Sequence, residues 1–261
     1  MATFIDSTPD ESCESVGNVK TVDVLGYRVA TCTVEQAAHW VIEATEGLPS
    51  KLLITLNPEI VVRAQIDREL HQTICGAELI VADGIGVVWA ARRSGQILPE
   101  RVPGVDLTTR ILELGGQSLR VYLLGAEPGI AAQAADYISN RYHCTVVGTH
   151  HGYFNTVDEI AEVVAKVRSS RPHLLLAGLG EDQELFLQRH RDALGVPVMI
   201  GVGGTLDVLA GAAKRTPAWT RRVGLEWAWR VGFDPNRWHR LPRLLRFVRI
   251  VCTRERSNQF L

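Results

Sequence analysis

This chain of 261 residues lacks several features that would assign it to a protein class at once. Its five cysteines are widely spaced and form no C-x-x-C pair, so we expect neither a disulfide framework nor a zinc site, and a reducing cytoplasm is the natural compartment. No apolar run reaches the roughly 18 residues that a membrane-spanning helix needs. Residues 1–18 are polar and acidic without a hydrophobic stretch, which predicts a flexible lead and no secretory signal.

The common nucleotide-binding signatures are also missing. The sequence contains no G-x-x-x-x-G-K-[ST] P-loop and no complete G-x-G-x-x-G fingerprint, which weakens an ATPase or dehydrogenase interpretation. No Asp-x-Asp pair occurs, so an enzyme acting on a sugar nucleotide would have to offset the diphosphate charge with arginines and helix dipoles. A metal site at His150, His151 and Tyr153 would need a further ligand that the sequence does not place. We therefore expect no metal and no cofactor.

The remaining composition is that of a globular protein, with 46% hydrophobic and 22% charged residues. Six short aliphatic runs, each bounded by Gly, Pro or Asp, alternate with helical patterns. This alternation predicts an α/β fold of the Rossmann-like, doubly wound type with a mostly parallel sheet. The runs are residues 51–56, 79–82, 119–124, 144–147, 174–177 and 198–202. Helix starts are indicated by capping boxes at Thr33 with Gln36 and Thr156 with Glu159, by Asn57 before Pro58, and by Pro128.

The charge of the last fifth of the chain differs from that of the rest. Residues 214–256 contain twelve Lys or Arg against three Asp or Glu, although the whole chain has a net charge of −1. Four of the six Trp lie in this segment among aliphatic residues, which is typical of amphipathic helices on an anionic membrane surface. A helix packed on its own domain or on a second subunit is an alternative. A nucleic-acid-binding arm is another, but the acidic remainder of the chain disfavours it.

These patterns divide the chain into a lead at 1–18, an α/β core at 19–212 and a basic helical appendage at 213–261. Ligands of parallel sheets bind at the carboxyl ends of the strands, and the residues after the predicted strands are polar or glycine-rich. The glycine-rich turns that lead into helices, including Gly125, Gly203 and Gly204, offer backbone N–H groups to a phosphate. Each glycine could instead serve only a tight turn. We expect a nucleotide or diphosphate ligand.

Asp83 is the leading candidate for a catalytic residue. It directly follows the run at 79–82, so it could meet a bound hydroxyl as a general base, or it could cap the helix that starts near Gly84. Arg101 could neutralise a leaving phosphate or form a surface ion pair. Asn57 suits a helix N-cap with or without a ligand contact, and Thr55 suits either the core or the site.

Eight motifs, in order, resemble the WecG/TagA/CpsF glycosyltransferases over roughly residues 20–245. They are TLNPE (55–59), VADGIGVVWA (81–90), RVPGVDL (101–107), LLGAEPG (123–129), HGYF (151–154), GLGEDQE (178–184), GVGGTLDVLAG (201–211) and RTPAWTRRVGLEWAWR (215–230). The resemblance implies an inverting, metal-independent transfer of N-acetylmannosamine or another hexose from a UDP-sugar to a polyprenyl-diphosphate-linked acceptor. It implies a peripheral enzyme on the cytoplasmic face of the bacterial membrane, in cell-surface polysaccharide or teichoic acid assembly. A non-catalytic nucleotide-binding module with a membrane- or nucleic-acid-binding tail is the alternative.

The resemblance also assigns roles to residues. Asp83 would be the base, Thr55 and Asn57 would shape its pocket, and Arg101 and Gln183 would contact the diphosphate or the sugar. Tyr153, Asp207, Gly203 and Gly204 would hold the uridine, and Arg230, Arg237 and Arg240 would grip the lipid diphosphate. Gly125 is included in the nucleotide site because of its glycine-rich turn. The chain departs from the family pattern at Glu181-Asp182, where Pro is common, and at Leu206, where Phe is common. We also expect the basic tail to fold over the site only at the membrane.

Overall fold

The computed structural model describes residues 19–213 and 241–258, which form eight strands and eleven α-helices. The strands are β1 (Thr21–Val24), β2 (Tyr27–Ala30), β3 (Lys51–Leu56), β4 (Leu79–Ala82), β5 (Arg120–Gly125), β6 (Thr145–His150), β7 (Leu174–Gly178) and β8 (Val198–Gly201). The helices are α1 (Val34–Ala44), α2 (Pro58–Ala64), α3 (Arg68–Cys75), α4 (Ile85–Arg93), α5 (Gly104–Gly115), α6 (Ile130–Tyr142), α7 (Val157–Ser170), α8 (Gln183–Arg189), α9 (Arg191–Leu194), α10 (Thr205–Leu209) and α11 (Leu241–Asn258).

Six strands form one parallel sheet in the order β4-β3-β8-β7-β5-β6. The predicted α/β fold is confirmed, and each of the six aliphatic runs is a strand, although the ends of four of them differ from the prediction. The hairpin of β1 and β2 was not predicted. Its two-residue turn needs positive φ at both positions, and Leu25 is an unusual residue to adopt that conformation, so the sequence carries no ordinary hairpin signal.

Helices cover both faces of the sheet. Leu52, Ile54 and Leu56 of β3 belong to one hydrophobic cluster, which includes residues of α2, α3, α4, α7, α8 and α11. Leu53, between them, belongs to a second cluster with α1, α5, α6 and α10. Because both faces are buried, the strands are apolar throughout rather than alternating, which is why their sequences are short aliphatic runs.

The helix starts follow the predicted capping residues with one exception. Both capping boxes are present, and the Asn57 side chain accepts hydrogen bonds from the backbone N–H groups of Glu59 and Ile60, each at 3.0 Å. The exception is α6, which begins at Ile130 and not at Pro128. Gly129, with φ of 90°, is its N-cap, so the chain turns after the proline before the helix begins.

The last described helix, α11, packs on the core through its inner face. Phe247 and Val251 are only 1% and 4% exposed, and α11 contacts α2 and α4. A Cβ added to Gly86 of α4 would lie 3.2 Å from the Phe247 ring and 2.6 Å from Pro58, so the three residues are in close contact. Because residues 214–240 lie outside the described residues, the expectation that the basic tail folds over the site only at the membrane stays a prediction; the structure shows that α11 packs on α2 and α4. Its apolar inner face stabilises it on the core.

The outer face of α11 carries a second apolar stripe. Leu241, Leu245 and Val248 are 38%, 71% and 41% exposed, and their spacing of four and three residues places them on one side of the helix. Arg246 and Arg249 are exposed as well. None of the helices in the described parts of the chain combines the length and apolar character needed to cross a bilayer.

Candidate functional site

The predicted site residues of the core lie along a single edge of the sheet, at the ends of its strands or in the turns and helix starts that follow them. All six strands are parallel, so they end at the same edge, which we call the carboxyl edge. Asp83 follows β4 and Asp207 lies in α10 after β8, with only β3 between these two strands. Asp83 and Asp207 therefore lie at the same edge of the sheet.

Asp83 is fixed where β4 ends. Its backbone N–H donates to Leu56 O at 2.8 Å, which ties the turn to β3, and the side chain is partly buried. The N-cap of α4 is Gly84, so the alternative in which Asp83 caps this helix is wrong. Val102 N–H donates to Ala82 O at 2.8 Å, and this bond brings Arg101 next to the turn that carries Asp83. A carboxylate and a guanidinium group thus come from two loops joined at the end of one strand.

Thr55 lies where β3, β8 and α5 meet. It is 6% exposed, and its hydroxyl donates to Gly201 O at 3.4 Å. A Cβ on Gly104, the first residue of α5, would lie 3.8 Å from Thr55 and 3.9 Å from Thr205. Thr55 therefore belongs to the core and lies buried directly beneath the turns of the carboxyl edge. Asn57, two residues on, uses its side-chain oxygen to cap α2.

Gln183 holds a glycine turn in place. Its Oε1 accepts from Gly203 N–H at 2.9 Å, and its Nε2 donates to Glu184 Oε1 at 2.7 Å. A Cβ on Gly201 would lie 2.7 Å from Gln183 Nε2, so the absence of a side chain at Gly201 makes room for this amide. Gln183 thus links the turn after β7 to the turn after β8, and its contact with a ligand stays a prediction.

Glu184, 2% exposed, should make stability depend on pH in the direction opposite to most carboxylates. Burial raises its pKa above the ordinary 4.5, although the hydrogen bond from Gln183 opposes the rise. The folded state therefore binds this proton more tightly than the unfolded chain, so the stabilisation is present at low pH and is lost as pH rises through the folded-state pKa. We expect Glu184→Gln, which cannot titrate, to gain stability relative to the original protein as pH rises.

Urea unfolding at several pH values between about 5 and 8 measures this difference. Glu162→Gln is the matched control, because Glu162 is exposed and its hydrogen bond from Lys166 lowers its pKa. A difference between Glu184→Gln and the original protein that stays constant over this range would contradict the prediction.

Three turns of the carboxyl edge touch through their main chains. A Cβ on Gly125 would lie 2.3 Å from Gly178 O, and a Cβ on Gly178 would lie 2.7 Å from Gly203 O. This close approach gives Gly125 a structural reason to be glycine. Gly203 has φ of 50° with open space where a Cβ would be, whereas Gly204 has φ of −75° and space for a side chain beside Asp207.

Helix starts at the carboxyl edge differ in their capping. Among the described helices that follow strands of the parallel sheet, α2 and α7 are capped by the side chains of Asn57 and Thr156. The starts of α4, α6, α8 and α10 make no side-chain cap hydrogen bond. Their first N–H groups carry partial positive charge toward the edge. The arrangement favours an anionic ligand along β4, β7, β8 and β5.

Tyr153 lies at the other end of this edge from Asp83. It follows β6, and strand spacing puts β4 and β6 about 24 Å apart. Tyr153 is 61% exposed, its N–H donates to His151 Nδ1 at 3.2 Å, and His150 Nδ1–H donates to His151 O at 2.8 Å. A cleft of about 180 Å³ lies here, lined by His150, His151, Tyr153, Phe154, Glu159, Glu162 and Val163. A ligand that reaches both Asp83 and Tyr153 must run along the edge.

The predicted lipid-diphosphate residues Arg230, Arg237 and Arg240 lie outside the described residues, as do Trp219, Trp227, Trp229 and Trp238. The structure also shows contacts of Arg243, a residue to which the sequence analysis assigned no role. Arg243 of α11 donates to Glu59 Oε1 at 2.5 Å and to Glu181 Oε1 at 2.5 Å. The only sequence signal was indirect, since Glu59 and Glu181 lie in two quoted motifs and Arg243 lies in the basic tail.

Sequence comparisons relate this chain to known proteins. A family model described as "Glycosyl transferase WecG/TagA/CpsF family" matches residues 22–260. The N-acetylglucosaminyldiphosphoundecaprenol N-acetyl-beta-D-mannosaminyltransferase of Staphylococcus aureus strain NCTC 8325 is 34% identical over 235 residues, which cover 88% of this chain and 91% of that protein. The protein of the same name from strain MRSA252 is 36% identical over 237 residues, with the same coverage.

Proposed function

Because the chain belongs to the WecG/TagA/CpsF family of glycosyltransferases, we propose that it transfers a hexose derivative from a UDP-sugar to a polyprenyl-diphosphate-linked sugar. N-acetylmannosamine is the donor sugar that the names of the relatives support, and N-acetylglucosamine on undecaprenyl diphosphate is the acceptor. The product belongs in the assembly of a cell-surface polysaccharide or teichoic acid. One observation carries the proposal: a carboxylate, an arginine and uncapped helix starts share the carboxyl edge.

The proposed chemistry is a single displacement at the anomeric carbon. Asp83 removes the proton from the acceptor hydroxyl as the oxygen attacks, and the new glycosidic bond forms while the bond from the anomeric carbon to the β-phosphate oxygen breaks. UDP leaves from the opposite face, so the configuration inverts. Arg101 and the uncapped helix starts stabilise the negative charge that grows on the β-phosphate. The chain's own cations replace a divalent ion in this scheme.

The order of the strands supports one orientation of the bound UDP-sugar along the carboxyl edge. The reacting sugar lies near Asp83 and Arg101 by β4 and β3, and the diphosphate lies over the turns after β8 and β7. Asp207 beside Gly204 is in position to accept hydrogen bonds from ribose hydroxyls. The uracil end points toward β5 and β6, where Tyr153 offers an exposed aromatic ring for stacking.

The outer face of α11 supports an approach to an anionic membrane. Its stripe of Leu241, Leu245 and Val248 is flanked by Arg246 and Arg249, and apolar residues beside cations are the pattern of a helix lying on anionic lipid. We place the enzyme at the cytoplasmic face of the cell membrane, where its lipid-linked acceptor resides. Light scattering without lipid tests the alternative in which a second copy of the chain covers this stripe.

The proposed function predicts acceptor-dependent release of UDP. Incubation of the protein with UDP-N-acetylmannosamine and N-acetylglucosaminyl-diphosphoundecaprenol in detergent should yield UDP and a disaccharide lipid, and excess EDTA should leave the rate unchanged because arginines replace the metal. A panel of other UDP-hexoses measures donor choice, and NMR of the product measures the anomeric configuration. If no UDP-sugar in the panel gives acceptor-dependent UDP, the proposal is wrong. Full loss of activity with EDTA would refute the metal-independent scheme alone.

A further inference from the structure

The ion cluster around Arg243 joins three segments that are far apart in the sequence. The guanidinium Nη1 donates to Glu59 in the first turn of α2, and Nη1 and Nη2 both donate to the Glu181 carboxylate, the latter at 3.2 Å. Glu59 follows the turn after β3, and Glu181 lies in the 3-10 turn Gly180–Asp182 after β7. A residue of the C-terminal helix thus bridges two loops of the carboxyl edge. We call Glu59, Arg243 and Glu181 the Arg243 clamp.

A second arginine fixes Glu181 from the core side. Arg63, in α2, donates to Glu181 O at 2.6 Å, and its Nε lies 3.5 Å from Glu181 Oε2. The Arg63 side chain is only 15% exposed, so this contact is well defined by its surroundings. Glu181 is therefore held between Arg63 and Arg243, and it presents its carboxylate to α11 in a fixed position.

The clamp and Phe247 differ in how much each contributes to the stability of the packed helix α11. The side chains of Arg243, Glu59 and Glu181 are 32%, 25% and 46% exposed, and ion pairs that keep this much contact with solvent contribute little to stability. Burial of a phenylalanine contributes several times as much. Phe247, one helical turn after Arg243, therefore holds α11 on the protein, and the clamp sets where the start of α11 lies along the edge.

We propose that the Arg243 clamp is a positioning device that fixes the start of α11 between the turn after β3 and the turn after β7. The inference rests on the proposed function. Leu241, the first residue of α11, directly follows Arg240 in the sequence, and Arg240 is one of the residues that the resemblance assigns to the lipid diphosphate. The clamp therefore fixes the helix to which this basic segment is covalently joined. In this role Arg243 touches no reacting atom, and its effect falls on the capture of the lipid-linked diphosphate.

Arg243→Gln and Glu181→Gln test the clamp by kinetics. We expect each variant to raise the KM for the lipid-linked acceptor by about three- to fivefold, with little change in the affinity for UDP or in the urea midpoint. The double variant should lose less than the sum of the two single losses, because the pair of Arg243 with Glu181 is removed by both changes. Arg189→Gln is the matched control, since Arg189 pairs with Glu69 across α3 and α8 at 2.6 Å and neither residue lies in a carboxyl-edge loop.

Hydrogen exchange tests the same proposal without any turnover. The backbone N–H groups in the first turns of α11 should exchange faster in Arg243→Gln than in the original protein or in Arg189→Gln. An unchanged acceptor KM in Arg243→Gln, an equal rise in Arg189→Gln, or unchanged exchange in α11 would overturn the clamp. If the original protein transfers no sugar while α11 exchanges faster in Arg243→Gln, the proposed function fails and the anchoring of α11 by the clamp stands.

Discussion

Asp83→Asn is expected to lower the rate of sugar transfer by about a thousandfold, within the range that general-base catalysis contributes. Asparagine keeps the shape of the side chain and the backbone hydrogen bond to Leu56, but it cannot take up the proton of the acceptor hydroxyl. The donor should still bind, because the residues proposed to hold UDP follow β8, β7 and β6 rather than β4. The variant should therefore lose kcat while its affinity for UDP stays near that of the original protein.

Initial rates of UDP formation and calorimetric titration with UDP separate these two quantities. Asp136→Asn is a suitable control, because Asp136 is exposed on α6 and contributes to no loop of the carboxyl edge. An Asp83→Asn protein that turns over within about threefold of the original would remove Asp83 from the mechanism, since a lost general base costs far more. A parallel loss of UDP binding would instead make Asp83 part of the donor pocket.

Phe247→Ala is expected to destabilise the protein by about 3–5 kcal/mol, the usual cost of removing a buried aromatic ring from a core. The ring is 1% exposed, belongs to the cluster under α2 and α4, and lies against Gly86 and Pro58. Its loss would leave a cavity beneath the turns that carry Asn57 and Asp83. Urea unfolding followed by circular dichroism measures the change, with Val248→Ala as the control because Val248 is 41% exposed on the same helix.

Gly86→Ala tests the same contact by adding a methyl group where Phe247→Ala removes a ring. Its new methyl group would lie 2.6 Å from Pro58 and 3.2 Å from Phe247, so the packing of α11 on α2 and α4 must shift. Overpacking of this kind costs about 1–3 kcal/mol. Equal stability of Phe247→Ala and Val248→Ala would show that α11 is not part of the core.

Most of the core fold could be predicted because its signals are local. The aliphatic run of β3 ends at Asn57, which caps α2 two residues before Glu59, and such strand and capping signals lie within a few residues of each other. The order of the strands is not a local property. The sequence analysis could therefore place Asp83 and Tyr153 at the same edge of the sheet but could not show that β4 and β6 are its two outermost strands.

The contacts of the C-terminal helix with the candidate site are also non-local, so they could not be predicted from the sequence. An apolar stripe flanked by arginines suits a membrane surface and a protein core equally well, and only the structure shows that Phe247 faces Gly86 while Leu245 faces outward. The pairing of Arg243 with Glu59 and Glu181 joins residues more than 60 positions apart. No spacing rule relates such residues, so the clamp could not be inferred from the sequence.

The bare main-chain contact among Gly125, Gly178 and Gly203 has a consequence for substrate recognition. Immobilising a long side chain on binding costs about 0.5–1.5 kcal/mol, and these three glycines have no side chain to immobilise. If the proposed donor binds here, it meets main chain at these three positions that needs no ordering of side chains. Any adjustment to different sugars or carriers must come from residues with rotatable side chains, such as Tyr153 on one flank and the arginines of the other.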